Sequence, residues 1–396
     1  MNDTTETTAV GRRTPLRVWI ALAAAVALLV GALSAGAWFR TAGDGTDESA
    51  LEERLQTLVD EGFPGALASV TRADGERLDV AVGDVGNLPA EPEVRIGSNT
   101  KMFVATVVLQ LAEEGRIDLD EPIDTYLPGL VTGEGIDGTA ITVRQLLQQT
   151  SGLPEYTNEV AADAFGVQDV YISARDMLDI ALSQPAVFTP GAQWKYTNTN
   201  YIILGLLIER VTERALWEQI DDRIVTPLEL QHTYLPGPGE RELRSEHPPA
   251  FHADEPGDLR EITDMDPSFG WSAGAMVSTP GELNEFMRAL LAGELLSEES
   301  LAAMQAGTPA GDELWPEATY GLGLQSFPLS CGGVAWGHGG DIPGTQTRNA
   351  VAPDGTTATI AVTALPWALV DPADEERLLE KYRVVVEQLD ETLCDG

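Results

Sequence analysis

The sequence predicts an α+β protein: an antiparallel sheet built from N- and C-terminal strands, flanked by helices, with an all-helical lobe inserted. Three observations predict this fold. Near the start, apolar or alternating runs at Ala66–Thr71 and Leu78–Val82 are joined by Ala73-Asp74-Gly75, a hairpin pattern. Near the end, Gly321–Phe327, Val334–His338, Thr345–Ala352 and Thr357–Ala364 read as strands, the last two joined by the turn Pro353-Asp354-Gly355. Between the two groups the punctuation is that of helices. Strands at both termini with helices between them imply one sheet made from both ends of the chain. A length of 396 residues allows two domains or one large one.

Each element has a local reason. Residues 1–17 carry Arg12, Arg13 and Arg17 against Asp3 and Glu6 and read as a cytoplasmic tail. Residues 18–39 hold no charge and are long enough for a bilayer, which needs about 20 apolar residues. Trp19 and Trp38-Phe39 stand near the two ends of this run. The expectation is a single-pass anchor with its N-terminus inside. The alternative is a signal segment cleaved near Ala37, at Ala35-Gly36-Ala37. Either way the bulk of the chain works outside the cytoplasm. Residues 40–50 form a linker, and 51–396 one domain, with sheet from about 51–97 and 320–396 and helical lobe from about 115–315.

Leu51–Val59 is helical in pattern, and Val94–Gly97 leads as a strand into Ser98. From Met102 to Leu111 the chain is apolar without Pro or Gly, and Glu113-Glu114-Gly115 ends that helix. Thr142-Val143-Arg144-Gln145 is a capping box. Ser173–Leu182 and Asn200–Thr212 are helices, the latter strongly apolar and preceded by the turn Pro190-Gly191. Pro236–Pro267 is rich in Pro, Gly and charge, a long loop of the functional or mobile kind. Thr279-Pro280-Gly281-Glu282 is a second capping box, with Pro at the first helical position, opening a helix to Leu291. Asp374–Leu393 is a closing amphipathic helix.

Formal net charge is −39, which makes nucleic acid and anionic headgroups poor partners. So acidic a surface suits solubility in high salt. Cys331 and Cys394 can close one disulfide in an oxidising compartment, pinning the C-terminal segment to the strand before His338; the alternative is two free buried thiols. Four scattered histidines do not make a metal cluster, and no metal or cofactor is expected.

Ser98 begins a helix, and Lys101 follows three residues later on the same face. The chain holds three lysines in all, Lys101, Lys195 and Lys381, while arginine is plentiful. An amine placed here, where guanidinium would not do, suits a group that must lose its proton. A helix N-terminus favours negative charge at Ser98, so the pair can act as nucleophile and base. Two further stretches stand out: Lys195-Tyr196-Thr197-Asn198 on a loop feeding a buried helix, and His338-Gly339-Gly340-Asp341 at a strand end.

Ser-x-x-Lys, then Tyr-x-Asn, then His-x-Gly, in that order and widely separated, resembles the serine β-lactamase and penicillin-binding family, in its class C and D-alanyl-D-alanine carboxypeptidase branch. The resemblance runs from about Leu51 to Ala364. It takes in Leu146-Leu147 through Thr150-Ser151-Gly152-Leu153, then Thr226-Pro227-Leu228 and Gly274-Ala275-Met276-Val277-Ser278-Thr279. It implies a β-lactamase/transpeptidase-like fold with the active site between sheet and helical lobe.

It also implies roles. Ser98 attacks a carbonyl to form an acyl-enzyme, and Lys101 and Tyr196 share the base role. Asn198 binds the substrate amide, and Gly340 and Asp341 line the substrate strand. The backbone N–H groups of Ser98 and Asp341 form the oxyanion hole, and His338 polarises Tyr196 or the leaving group. Glu155, Tyr156 and Asn158 either line the cleft or are solvated loop.

The expected activity is that of an exported, D-alanyl-D-alanine carboxypeptidase-like, penicillin-binding serine hydrolase. The expected partners are a small peptide, β-lactam or ester substrate, peptidoglycan, and the membrane through the N-terminal segment. Alternatives are an esterase or class C-like β-lactamase and, from another class, a non-hydrolytic penicillin or peptidoglycan sensor. The sequence departs from the family pattern at Gln149, where many relatives have His, and at Gly339, where a hydroxyl residue often helps hold a substrate carboxylate. Gln325 stands where a carboxylate-binding Arg can occur. Arg348 on the next strand could substitute, but reads more simply as an exposed strand residue. Fewer carboxylate donors put strict carboxypeptidase activity in doubt and leave acyl transfer intact.

Overall fold

The computed structural model describes residues 48–395, apart from 86–87, 89–90, 161–162 and 311–315. The expected tail, anchor and most of the linker lie outside these residues. No helix among the described residues is long and apolar enough to cross a membrane.

Eight strands form one antiparallel sheet: β1 Gly65–Thr71, β2 Arg77–Gly83, β3 Thr308–Pro309, β4 Thr319–Tyr320, β5 Gln325–Pro328, β6 Val334–Ile342, β7 Thr345–Val351 and β8 Thr357–Val362. Their order is β2-β1-β8-β7-β6-β5-β4-β3, so the N-terminal hairpin joins the C-terminal strands at β1 and β8. The sequence expectation of a sheet from both termini holds. Gly321–Phe327 is not one strand, however. It breaks into β4 and β5 around Gly323, whose φ is +80°. Val94–Arg95 also stands apart from the main sheet, pairing with Val277–Ser278.

The period-2 alternation of the strands makes two faces. One face buries Ala66, Ala68, Val70, Ile360 and Val362 against helices α1, Glu48–Asp60, and α5, Glu375–Cys394, which contribute Leu51, Leu55, Val385 and Leu389. Asp374 caps α5 by accepting from the Arg377 N–H. The disulfide between Cys331 and Cys394 ties the end of α5 to the turn before β6.

The other face meets α4, Pro280–Leu291, whose Asn284 donates to the Ser69 carbonyl at 2.9 Å. The sequence reading put this helix in the lobe, but its apolar stripe packs on the sheet. Its start is half of a capping box. Thr279 accepts from the Glu282 N–H, but the Glu282 carboxylate turns away to the N–H groups of Gln231 and His232 and the Thr233 hydroxyl. Three donors, the Thr233 hydroxyl among them buried, outcompete the single one at the cap.

Helix α2, Thr100–Glu113, is buried on nearly every side, and Phe103 stacks on Phe286 of α4 at 3.8 Å. It packs against α3, Thr199–Thr212, which is equally apolar. Pro236–Pro267 is a long connection with a small hairpin, Phe251–His252 with Arg260–Glu261. Two buried charges fasten it. Arg95 donates to the carbonyls of Arg241, Thr263 and Met265. Glu93 accepts from the Tyr234 hydroxyl and the N–H groups of Arg244 and Ser245.

Candidate active site

Gly97 sets the nucleophile in place. Its φ is +51°, and a Cβ there would fall 2.6 Å from the Asp341 nitrogen. Gly340 is as constrained: a Cβ would lie 1.9 Å from the Ile96 carbonyl oxygen. Two facing glycines therefore let the turn before Ser98 press on the edge of β6. A 3₁₀ turn, Gly97–Asn99, then runs into α2. Asn99 fixes it by donating to the Ile96 carbonyl and the Thr347 hydroxyl.

Lys101 is fully buried, and its Nζ has three partners: Ser98 Oγ at 2.8 Å, Asn198 Oδ1 at 2.8 Å and the Ala273 carbonyl at 2.6 Å. The last two are acceptors only. A neutral amine spends both N–H bonds on them, and its lone pair then faces the serine hydroxyl. Burial pulls the amine down from 10.5 to about 7, with the charges of Glu155 and Asp341 opposing the fall. The neutral form is thus within reach at ordinary pH.

Tyr196 stands beside this pair. Lys101 Nζ is 4.9 Å from its ring centre, and its hydroxyl hydrogen-bonds Ser98. Burial pushes the phenol well above its usual range, and only the Ser98 contact opposes this. It is a proton donor or relay at neutral pH, not a phenolate. In the base role expected to be shared with Lys101, the phenol is the partner that carries a proton.

His338 is buried at the expected place on β6, but its ring is engaged elsewhere. Nδ1 lies 2.6 Å from the Gly339 carbonyl and must carry the proton there, so Nε2 accepts from the Tyr320 hydroxyl at 3.1 Å. Burial holds the imidazole down to about 3, so it is neutral. Its contact with Tyr196 is ring against ring, 6.3 Å between centres. Of the two roles expected of His338, polarising Tyr196 or the leaving group, the first has no hydrogen bond to carry it among the described residues, since Nε2 is bonded to Tyr320.

Asn198 is held from two sides. Its Oδ1 faces Lys101, while its N–H and Nδ2 donate to Glu155 Oε2 at 2.7 and 3.3 Å. Its second amide hydrogen has no partner among the described residues. Glu155 is no solvated loop residue: burial raises its carboxyl, and the Thr157 and Asn198 N–H groups hold the charged form. Tyr156 is fully buried, its hydroxyl on the Phe269 carbonyl, and does not line the cleft. Gln149 is buried too, accepting from Thr197 N–H and Asn200.

Asp341 presents its backbone nitrogen toward the Gly97–Ser98 turn. Its carboxylate pairs with Arg348 at 2.8 Å. Arg348 is not the exposed strand residue expected, since its side chain is only 12% exposed. Sequence reasoning missed Tyr320 altogether. Nothing local marks it; only the sheet brings it between Tyr196, Tyr201 and His338. Among the described residues no group of His, Cys, Asp or Glu could hold a metal ion.

The model for the family described as Beta-lactamase matches residues 49–382, most of the chain. The chain belongs to the β-lactamase family. Among solved structures it is similar to a D-stereospecific amidohydrolase from Streptomyces sp., 35% identical over 85% of this chain and 98% of that one, with a TM-score of 0.77. It shares its fold with the D-amino acid amidase of Ochrobactrum anthropi SV3, at 23% identity and a TM-score of 0.72, covering 87% of this chain and 98% of that one.

Among curated proteins it is 34% identical to Protein flp of Staphylococcus aureus (strain MW2), over 46% of this chain and 38% of that protein. It is 27% identical to the putative penicillin-binding protein PbpX of Bacillus subtilis (strain 168), over 67% of this chain and 60% of that protein. The match thus spans less than two thirds of the length of either curated relative.

Proposed function

We propose that this β-lactamase-family protein is a serine hydrolase of amide bonds in small peptide or D-amino acid substrates, working through an acyl-enzyme on Ser98. The observation that carries the reading is the 2.8 Å contact between Ser98 Oγ and a fully buried Lys101 amine whose proton affinity has fallen to about 7.

In this reading the serine proton passes to Lys101 as Oγ attacks the carbonyl carbon. The Ser98 and Asp341 N–H groups receive the oxyanion, each donor worth ~100- to 1000-fold in rate. The C–N bond breaks as Tyr196, kept as a phenol, gives its proton to the leaving amine, and the proton that Lys101 took from Ser98 restores the phenol. Water then attacks the acyl carbon and gives a proton to the same pair; the ester bond to Ser98 breaks, and Oγ takes that proton back. Asn198 orients the substrate amide, and Glu155 orients Asn198.

An amidase ranks ahead of the D-alanyl-D-alanine carboxypeptidase expected from the motifs, because the cleft offers a substrate carboxylate little. Likeness to an amidohydrolase over nearly all of that protein supports the same order. A penicillin is a probe of the site on either view.

We also propose that the chain acts outside the cytoplasm, held by residues 18–39, with peptidoglycan fragments within reach. Support comes from the disulfide, a bond kept in oxidising compartments.

The test is intact mass spectrometry with a fluorescent penicillin, and hydrolysis of D-amino acid amides, by the native chain and Ser98→Ala. An adduct on Ser98 and amide turnover, both lost in the variant, are expected. A folded native protein with neither adduct nor turnover would favour the non-hydrolytic sensor and refute the proposal.

A further inference from the structure

Arg348 stands on β7 opposite Gly339 of β6. Gly339 has no side chain, and the guanidinium lies over it: a Cβ there would be 3.0 Å from Nη1. The same nitrogen is 3.4 Å from the Gly340 carbonyl oxygen. Arg348 is thus delivered to the strand whose Asp341 nitrogen faces the Ser98 turn. A guanidinium there could hold a carboxylate next to the bond being cleaved.

It is already occupied. Nη1 donates to Asp341 Oδ1 at 2.8 Å and Nη2 to Oδ2 at 3.3 Å, a two-point fork. Nη1 also donates to the Thr347 carbonyl at 2.8 Å. Gln346 Nε2 donates to the same Oδ1 at 3.2 Å. The Tyr382 ring from α5 backs the guanidinium at 5.8 Å.

The other basic side chains of the site do not take its place. Lys101 is spent on three partners, the neutral His338 on Tyr320, and Lys195 is exposed on the loop before Tyr196. Beyond Asn198 stands a second carboxylate, Glu155.

We infer that Asp341 is a specificity-determining residue: by occupying Arg348 it turns the site away from substrates with a free carboxylate beside the scissile bond and toward amides and esters that are neutral there. The inference rests on the acyl-enzyme reading of Ser98. Breaking the fork by removing the Asp341 charge frees Arg348 for the substrate.

The experiment compares two matched pairs of probes, each differing in one charge. The first pair is an N-acyl-D-alanyl-D-alanine and its C-terminal amide, read as kcat/KM. The second is a penicillin and its methyl ester, read as the rate of Ser98 adduct formation. The readout is the ratio within each pair, because the backbone N–H of residue 341 serves both members alike.

The native chain is expected to favour the neutral member. Asp341→Asn shifts the ratio toward the carboxylate by roughly 10- to 100-fold, the range a charge-assisted hydrogen bond commands. Asp341→Ser does the same should the Asn variant fold poorly. Adding Arg348→Met to either abolishes the gain. A ratio unmoved by removing the Asp341 charge, or a gain that survives without Arg348, overturns the inference and leaves the acyl-enzyme intact. No Ser98-dependent reaction with any probe in the native chain refutes instead the reading on which it rests.

Discussion

Replacing Glu155 by Gln should move the pH dependence of this site by an amount that Coulomb's law sets. Glu155 touches Asn198, and Asn198 touches Lys101 Nζ at 2.8 Å, so one amide side chain separates carboxylate from amine. With a separation on the order of 7 Å and an effective dielectric of ~20, the attraction is roughly 2 kcal/mol. The Glu155 charge favours the ammonium form, opposing the burial that disfavours it. Removing that charge therefore lowers the proton affinity of Lys101 further, by roughly 1–2 pH units.

The base must be neutral to act, so kcat/KM rises as pH climbs through the lysine's value, about 7 in the native chain. In Glu155→Gln the rising limb should lie near pH 5–6 by the same estimate. Gln can still accept from the Asn198 N–H, so geometry is the smaller change. The assay is the pH profile of amide or ester hydrolysis, or of Ser98 acylation, between pH 4 and 9. A limb that stays near 7 would mean Glu155 is uncharged there, and a limb that moves up would reverse the sign. Either refutes the electrostatics given for Lys101.

Lys101→Met should abolish activity yet raise stability in acid. The unfolded chain holds this proton up to about 10.5 and the folded chain only up to about 7, so native stability rises with pH between those values, and the full cost is felt below 7. The gain at pH 6 is bounded by roughly 5 kcal/mol, less the cost of leaving Asn198 and Ala273 oxygens unpaired. Thermal melts of both proteins at pH 6 and pH 10 check it, and an equal difference at both would contradict the burial account. Cys331→Ser removes a cross-link spanning 63 residues, which by loop entropy costs ~4 kcal/mol; denaturant titration of native and variant protein, both unreduced, measures it. With a net charge of −39, the melting temperature should rise as salt is added from low concentration; a fall in stability or activity with moderate salt would count against a salt-adapted surface.

Much of this site was readable because its parts are local. Ser98 and Lys101 are one helical turn apart, and the Thr142 capping box closes within four residues, as its spacing requires. The hairpin of β1 and β2 likewise follows from alternation around a Gly turn. The order of the three motifs carried the family, and the strand patterns at the two ends of the chain pointed to the sheet made from both termini.

What the sequence could not decide is pairing across long separations. Arg348 looked like an exposed strand residue until the register of β6 and β7 set it opposite Gly339, within reach of the Asp341 carboxylate. Glu155 looked solvated until the lobe folded its carboxylate onto Asn198. His338 and Tyr196 were both found, but Tyr320 takes the histidine's hydrogen bond, and β4 brings it there from outside every motif. The Glu282 side chain abandoned its own cap for donors fifty residues away. Capping and turn preferences act over a few residues and are written in neighbours. Burial and charge pairing depend on which surfaces meet, and these choose the partner of a long side chain only once the sheet and lobe have closed.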